Sequence, residues 1–207
     1  MYMAQLLRSI RPFYTKRSFN TPLGIAKSIN ENEIDINNSL ILEFGASHRK
    51  DISYLCKLYT PNIAVVTAIG YMHLNTFKNI TNIINEKMQI IDLLPKNGLG
   101  ILNYDNEYIR NYQVSSKAYV ITYGFSFGDF RISNFDNNKF VISYYDLRYE
   151  FKHNDLTKID IYNLIPVIYI IALIIPITIN TPPITFDTIV IIGRPCGHNK
   201  TGFFISK

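Results

Sequence analysis

The sequence predicts an α/β fold, in which a mostly parallel sheet carries helices on both faces and a small antiparallel subdomain is attached to it. From residue 39 to about 122, short apolar runs alternate with amphipathic stretches, which is typical of parallel strands joined by crossover helices. After Tyr119, strand-like runs are broken by Gly, Asn and Asp, and no helical period returns until about Ile159. With 207 residues, of which 47% are hydrophobic, the chain can fill a real core.

The first predicted elements form a strand–helix–strand unit. Residues 39–44 (SLILEF) are apolar enough for a buried strand, residues 51–59 (DISYLCKLY) have helical spacing, and residues 63–67 (IAVVT) predict a second buried strand. A connection of this kind places the two strands parallel in one sheet.

Residues 79–94 are predicted to form an amphipathic helix. Pro95 ends the helix, and Asn97-Gly98 turns the chain into a short strand at residues 99–102. Lys87 falls on the apolar face of this helix. The apolar residues that define this face are Ile80, Ile83, Ile84, Met88 and Ile91.

Residues 119–155 are predicted to form the small antiparallel subdomain, with two or three strands. The main α/β sheet is then expected to comprise residues 1–118 and 156–207. No internal repeat or low-complexity linker divides the chain further.

Residues 161–179 run without a charge and are close to the minimum length of a membrane-spanning helix. Pro166 and Pro176 lie inside the segment, and aromatic and basic anchors do not flank both of its ends. These features favour a buried helix followed by an extended stretch. A membrane-associated protein anchored by this segment remains the alternative.

Charge and cysteine content exclude several classes of protein. The net charge is +5, but the basic residues are scattered, which argues against a nucleic-acid-binding surface. Cys56 and Cys196 lie far apart and lack the spacing of metal ligands, so neither a disulfide framework nor a zinc site is predicted. A reducing, cytoplasmic location fits this pattern.

Polar residues at the carboxyl ends of the predicted strands are the first candidates for a binding site, because ligands of open α/β sheets collect there. Glu43 closes the first strand and could serve as a Mg²⁺ ligand or be an ordinary strand-end glutamate. His73 follows the second strand and is expected to lie beside Glu43, although a loop histidine is often merely exposed.

Three further positions carry candidate polar groups. Lys87, on an apolar helix face, either extends its amine to the surface or has a lowered pKa and a specific role. The run 103–106, with Asn103 and Asp105, either contacts a nucleotide or makes a turn. Gly193-Arg194 places a guanidinium that could bind phosphate or lie at the surface.

As an ordered set, these residues resemble the central domain of the Mur ligase family. The resemblance covers residues 1–205 and is strongest to the branch of the family that adds D-alanyl-D-alanine. The motifs that carry it are Arg17-Ser18-Phe19-Asn20-Thr21-Pro22-Leu23-Gly24, Leu42-Glu43-Phe44-Gly45-Ala46, Val66-Thr67-Ala68-Ile69-Gly70 with His73-Leu74, Glu86-Lys87, and Asn97-Gly98 with Leu102-Asn103-Tyr104-Asp105.

The resemblance implies an ATP- and Mg²⁺-dependent ligase of peptidoglycan precursor synthesis. In that family ATP phosphorylates the carboxylate of a UDP-MurNAc-peptide, here the tripeptide, and the amine of the incoming residue, here D-alanyl-D-alanine, attacks the acyl phosphate. By resemblance, Glu43, His73 and Lys87 would hold the metal, with Lys87 as a carbamate and with Lys87 and His73 in the catalytic centre. The same resemblance places Asn20 and Thr21 on the substrate side, and it places Asn103, Asp105, Asn163 and Arg194 on the nucleotide side.

The chain also departs from the family pattern. No phosphate loop of the form G-x-x-x-x-G-K-[ST] occurs in the sequence, although residues 1–10 resemble the helix that should follow one. Ala68 replaces a usual asparagine, and Ile159-Asp160 replaces a usual His-Asn pair. The resemblance therefore predicts a ligase fragment truncated at both ends. Whether the fragment is active or a catalytically inactive remnant is left open.

Overall fold

The computed structural model describes residues 13–15, 19–32, 39–136, 138–174 and 188–192. The described strands are β1 Phe13–Tyr14, β2 Leu40–Glu43, β3 Ile63–Val66, β4 Leu99–Asn103, β5 Tyr119–Gly124, β6 Phe130–Ser133, β7 Lys139–Tyr144, β8 Leu147–Lys152 and β9 Thr188–Ile192. The described helices are α1 Pro22–Asn30, α2 Asp51–Leu58, α3 Leu74–Phe77, α4 Ile80–Asp92, α5 Glu107–Arg110 and α6 Lys158–Ile174.

Within the described ranges, the strands form one sheet in the order β1-β2-β9-β3-β4-β5-β6-β7-β8. Every neighbouring pair from β1 to β6 is parallel, and only β6–β7 and β7–β8 are antiparallel. The mostly parallel α/β sheet predicted from the sequence is thereby confirmed.

Helix α4 shows why the sequence pattern predicted its element well. The side chain of Asn79 accepts a hydrogen bond from the backbone N–H of Asn82 and so caps the first turn. The helix ends at Asp92, three residues before Pro95, and its predicted apolar face is the buried one.

Successive strand residues point to opposite faces of the sheet and so form two cores. Leu42 and Val66 pack in one core, against α1, α2 and α4. Their chain neighbours Ile41 and Val65 pack in the other, with α6 and the strands β6 and β7. Helices therefore cover both faces, as expected for a parallel sheet.

The two strands of the predicted strand–helix–strand unit, β2 and β3, lie parallel in one sheet, and β9 lies between them and pairs in parallel with both. One detail of the predicted topology was wrong. The antiparallel part begins later than residue 119, since β5 pairs in parallel with β4 from Tyr119 to Tyr123. The antiparallel strands are β6, β7 and β8, and they continue the main sheet without a break.

Helix α6 occupies the start of the long uncharged segment. Thr157 and Asp160 cap its first turn reciprocally, with the Asp160 carboxylate accepting from the Thr157 N–H and the Thr157 hydroxyl accepting from the Asp160 N–H. Ile161 and Ile165 are buried in the core of this face, which fits the predicted buried helix. In the part of the chain that the structure describes, no helix meets the length and hydropathy of a membrane span. The end of the predicted segment, residues 175–179, lies outside the described residues.

Candidate nucleotide and metal site

The carboxyl ends of β2, β3 and β4 lie along one edge of the sheet, because these strands run in the same direction. Glu43 is the last residue of β2, Thr67 directly follows β3, and Asn103 is the last residue of β4. The sheet therefore brings the predicted site residues to a common edge, which is where open α/β sheets bind ligands.

Glu43 is held by the segment that precedes α1. The Asn20 side-chain amide donates to Glu43 Oε1 over 3.1 Å, and the Asn20 carbonyl accepts from the backbone N–H of Gly45 over 2.7 Å. Thr21 caps α1 by accepting from the N–H of Gly24 over 3.2 Å. The motif around Asn20 and Thr21 thus lies directly against the strand end that carries Glu43.

Gly45 allows this close approach. A Cβ atom built on Gly45 would lie 2.8 Å from Cγ and Oδ1 of Asn20, which is closer than real Cβ contacts. A side chain at position 45 would push Asn20 away from Glu43. Gly45 is part of the sequence motif that follows Glu43, but the sequence alone did not reveal its structural role.

His73 lies in the loop after β3, is exposed, and directly precedes α3 with a left-handed backbone (φ 52°). The Thr76 hydroxyl of α3 donates to the Ser47 carbonyl, so the loops that follow β2 and β3 touch each other. The intervening β9 separates the two strands themselves by about 10 Å, two interstrand spacings. The expectation that His73 lies beside Glu43 therefore depends on these two loops rather than on neighbouring strands, and it stays a prediction.

Lys87 is only 6% exposed, so the side chain does not extend into bulk water. Its Nζ lies 4.0 Å from Sδ of Met72, the residue before His73.

The preceding Glu86 is also buried, and its carboxylate accepts from the backbone N–H groups of Lys50 and Ile52 at the start of α2. Sequence reasoning missed this role of Glu86. The sequence feature that could have indicated it is the position of Glu86 three residues after the buried Ile83, on the same helix face.

A metal-binding cluster of three or more His, Cys, Asp or Glu side chains does not occur among the described residues. The predicted ligand set contains only two such residues, Glu43 and His73, and takes its third ligand from a modified Lys87. The predicted set would therefore bind a metal only after Lys87 is modified, whereas a cluster of three unmodified acidic, His or Cys side chains would not need this step.

A second group of predicted residues lines one cleft. Asn103, Asp105 and Asn163 face a cavity of about 230 Å³ beside the ends of β3 and β4. The remaining lining residues are Thr67, Ala68, Asn106, Ile159 and Tyr162. The structure thereby brings together three residues that the resemblance placed on the nucleotide side.

The polar groups of this cleft are fixed by internal hydrogen bonds. Asn103 donates to the Thr67 carbonyl over 2.8 Å and accepts from the Asp105 N–H over 3.1 Å. Asn106 donates to the Ile69 carbonyl over 2.9 Å, and its side-chain oxygen caps α5. The turn predicted for the run 103–106 is therefore present, and the side-chain amides of Asn103 and Asn106 are hydrogen-bonded within the protein.

The Asp105 carboxylate accepts four hydrogen bonds, three from the backbone N–H groups of Phe125, Ser126 and Phe127 and one from the Tyr162 hydroxyl. Burial by itself raises the pKa of Asp105, but the bonds from Tyr162 and the three amides outweigh it and lower the pKa. Burial, followed by the bond to Asp105, raises the pKa of Tyr162. Sequence reasoning missed Tyr162, which has no motif of its own.

Arg194, predicted to lie near the ATP phosphates, falls outside the described residues. The side chain of Asn163, in the second turn of α6, is the predicted adenine contact and lines the cleft.

Comparisons with known proteins agree with this architecture. A family model described as Mur ligase middle domain matches residues 2–171. The UDP-N-acetylmuramoyl-tripeptide–D-alanyl-D-alanine ligase of Buchnera aphidicola is 35% identical over 97 residues, which are 45% of this chain and 20% of that ligase. The ligase of the same name from Escherichia coli K12 is 29% identical over 100 residues, 48% of this chain and 22% of that ligase. The chain thus matches only about a fifth of the length of these relatives.

Solved structures show the same fold. MurF from Acinetobacter baumannii superimposes with a TM-score of 0.71 at 19% identity, covering 83% of this chain and 38% of that one. MurF ligase from Thermotoga maritima, solved in complex with ADP, superimposes with a TM-score of 0.69 at 24% identity, covering 81% of this chain and 40% of that one.

Proposed function

Because the chain belongs to the Mur ligase family, we propose that it forms part of an ATP-dependent ligase that adds D-alanyl-D-alanine to UDP-MurNAc-tripeptide in the cytoplasm. The family match over residues 2–171 supports the reaction class, and the relatives of that name support the substrates. The observation that carries the nucleotide part of the proposal is the cleft where Asn103, Asp105 and Asn163 meet.

This cleft suits a purine base. Ile159 and Tyr162 offer apolar and aromatic surface, and Asn163 offers an amide that can both donate and accept. Since Asn103 and Asp105 are bound internally, we propose that they shape the cleft rather than contact the base with their side chains. The cleft is then held in its binding form before the nucleotide arrives.

The edge next to the cleft fits a divalent cation. Glu43 presents a carboxylate at a strand end, oriented by Asn20, and Lys87 is buried beside the loop of His73. We propose that Glu43, His73 and a carbamate on Lys87 would hold Mg²⁺, which would neutralise charge on the transferred phosphoryl group. Burial favours the neutral amine that must attack CO₂, with loss of one proton, to form the carbamate.

Asn20 and Thr21 support the substrate side of the proposal. Both lie in the segment packed against Glu43, where a bound acceptor carboxylate would meet the phosphoryl group. Their contribution is positioning, because the backbone of Asn20 is anchored to Gly45 and the side chain of Thr21 to α1.

Nucleotide binding is tested by titrating the chain with MgATP and MgADP in a calorimeter. We expect saturable heat, and we expect Asn163→Ala to weaken the affinity about tenfold, the loss of one hydrogen-bonding group. Asn111→Ala, at an exposed asparagine after α5, is the matched control and should bind as the wild type does. Absence of heat at millimolar nucleotide would overturn the proposal for this polypeptide and favour an inactive remnant.

The modified lysine is tested separately. After equilibration with ¹³C-bicarbonate, we expect one carbamate carbon signal in the NMR spectrum, lost in Lys87→Met and kept in Lys57→Met, an exposed lysine of α2. A signal that survives Lys87→Met, or no signal in the wild type, would contradict the role given to Lys87.

A further inference from the structure

Strand β8 lies at the end of the described sheet opposite β1. It pairs with β7 on one side, and no described strand lies on the other. Its apolar residues remain unusually accessible, with Leu147 at 55% and Tyr149 at 53% exposure. An open edge with exposed apolar side chains is a template for pairing with another strand.

The hydrogen-bond pattern shows which backbone groups of β8 face outward. His153 donates its N–H to the Asn138 carbonyl over 2.7 Å, so residue 153 points its backbone towards β7. Because this direction alternates along an antiparallel strand, Phe151 and Tyr149 also point theirs to β7. The N–H and C=O groups of Arg148 and Glu150 therefore face away from the sheet.

The residues of this edge read as a self-complementary sequence. From Asp146 to Lys152 the order is Asp, Leu, Arg, Tyr, Glu, Phe, Lys, and reversing it about Tyr149 places each charge opposite its counter-charge. We propose that β8 pairs antiparallel with β8 of a second copy of this chain, about a two-fold axis at Tyr149.

In this register the outward backbone groups match. Arg148 and the partner's Glu150 exchange two backbone hydrogen bonds, and symmetry repeats the exchange between Glu150 and the partner's Arg148. The side chains of the same residues form two opposite-charge pairs across the axis.

The other face of the joined strands is apolar. Leu147 lies opposite the partner's Phe151, and Tyr149 lies opposite the partner's Tyr149. This face already belongs to a core, since Phe151 stacks on Phe140 with ring centroids 5.2 Å apart and Tyr149 is the cross-strand neighbour of the buried Ile142. Pairing with a second copy would cover Leu147 and Tyr149, which are exposed in a single copy.

A pair of six-residue strands is a small interface, below the roughly 1,200 Å² of standard interfaces. We therefore expect a reversible dimer whose population rises with concentration. Sedimentation equilibrium of the whole chain measures it directly.

The charge pairs allow a test that contains its own control. Arg148→Glu places two acidic residues opposite each other on both sides of the axis, and Glu150→Arg places two basic ones, so each variant alone should dimerise at least tenfold more weakly. An equimolar mixture of the two variants restores opposite charges at both positions, and we expect it to dimerise as the wild type does.

Three controls exclude other causes. Lys96→Glu changes the net charge as Arg148→Glu does, but at an exposed turn far along the chain, and should leave dimerisation unchanged. Circular dichroism verifies folding, which matters because Glu150 also forms an exposed ion pair with Lys139 at 3.4 Å. If a single variant does not fold, the double variant Arg148→Glu/Glu150→Arg replaces it and should dimerise normally. A wild type that stays monomeric at all concentrations, or a mixture no more associated than its components, overturns the proposal.

Discussion

The carboxylate of Asp105 connects three parts of the molecule. It lies just after β4, its bonds to Phe125, Ser126 and Phe127 fix the turn after β5, and its bond to Tyr162 fixes α6. Four donors on one carboxylate are close to all that its two oxygens accept. The cleft beside it depends on this one side chain for its shape.

Replacing Asp105 with Asn tests this role. The amide keeps the volume but has one acceptor oxygen and no charge, so at least one amide donor loses its partner. We expect the free energy of unfolding to fall by about 2 kcal/mol or more, as for lost hydrogen bonds to a charged group. Urea unfolding measures the loss. Asp155→Asn, at an exposed position with a left-handed backbone that Asn tolerates, should be nearly neutral.

The lowered pKa of Asp105 also predicts a pH dependence. A carboxyl group whose pKa is lower in the folded than in the unfolded chain stabilises the fold above its unfolded value of about 3.9, and this contribution is lost as the pH falls through the folded pKa. The stability gap between wild type and Asp105→Asn should therefore be full at pH 6 and narrow below about pH 4. A gap that stays constant down to pH 2 would contradict the charge-based role.

At the residue scale, the sequence predicted where a side chain lies better than it predicted which groups that side chain binds. Lys87 was expected on a buried helix face and is buried there, because helical periodicity determines a face. The tasks of Asn103 and Asp105 could not be predicted, since an amide at a strand end serves a turn and a ligand equally well. Their actual partners, Thr67 and Tyr162, lie 36 and 57 residues away in the chain.

At the scale of elements, the turn between β5 and β6 depends on Gly128. Its backbone has φ 116°, and a Cβ atom there would lie 2.7 Å from the backbone nitrogen of Tyr123. The following Asp129 accepts from both the N–H and the hydroxyl of Thr122, which closes the turn. Both the positive φ and the close backbone approach require glycine.

Gly128→Ala should therefore destabilise the chain by about 2 kcal/mol or more, because strain and steric overlap add. Thermal unfolding followed by circular dichroism measures the shift. Gly70→Ala provides the control, since a Cβ atom on Gly70 meets nothing within 4 Å, and it should change the midpoint little. Equal shifts for the two variants would show that the close approach at Tyr123 is not the cause.

The elements were predictable where the pattern is local. Helix α4 and strand β3 each occupy the predicted residues to within two positions at either end, because their periods and capping residues lie within a few residues of one another. The place of β9 was not predictable, since its pairing with both β2 and β3 joins parts of the chain that are more than 120 residues apart. A parallel pairing of this range leaves no trace in either segment alone.

At the scale of the whole molecule, one sheet separates two cores that share its strands. Ile90 lies in the core under α4 and is fully buried, and Ile165 lies in the core under α6 and is 2% exposed. Because each central strand contributes alternate residues to both cores, neither core can be lost while the other keeps its strands in place. The molecule should therefore unfold as one cooperative unit.

Ile90→Val and Ile165→Val test this coupling from opposite faces. Each removes one buried methylene group and should cost about 1 kcal/mol. We expect either variant to move the urea midpoint by a similar amount, with an unchanged slope and with coincident transitions by circular dichroism and tyrosine fluorescence. The hairpin β7–β8 supplies the sharpest check, since it belongs to the core of Ile165 alone. If Ile165→Val made the backbone amides of the hairpin exchange hydrogen faster while those of β3 stayed protected, the antiparallel strands β6 to β8 would unfold independently. Cooperative unfolding would then extend only as far as β5.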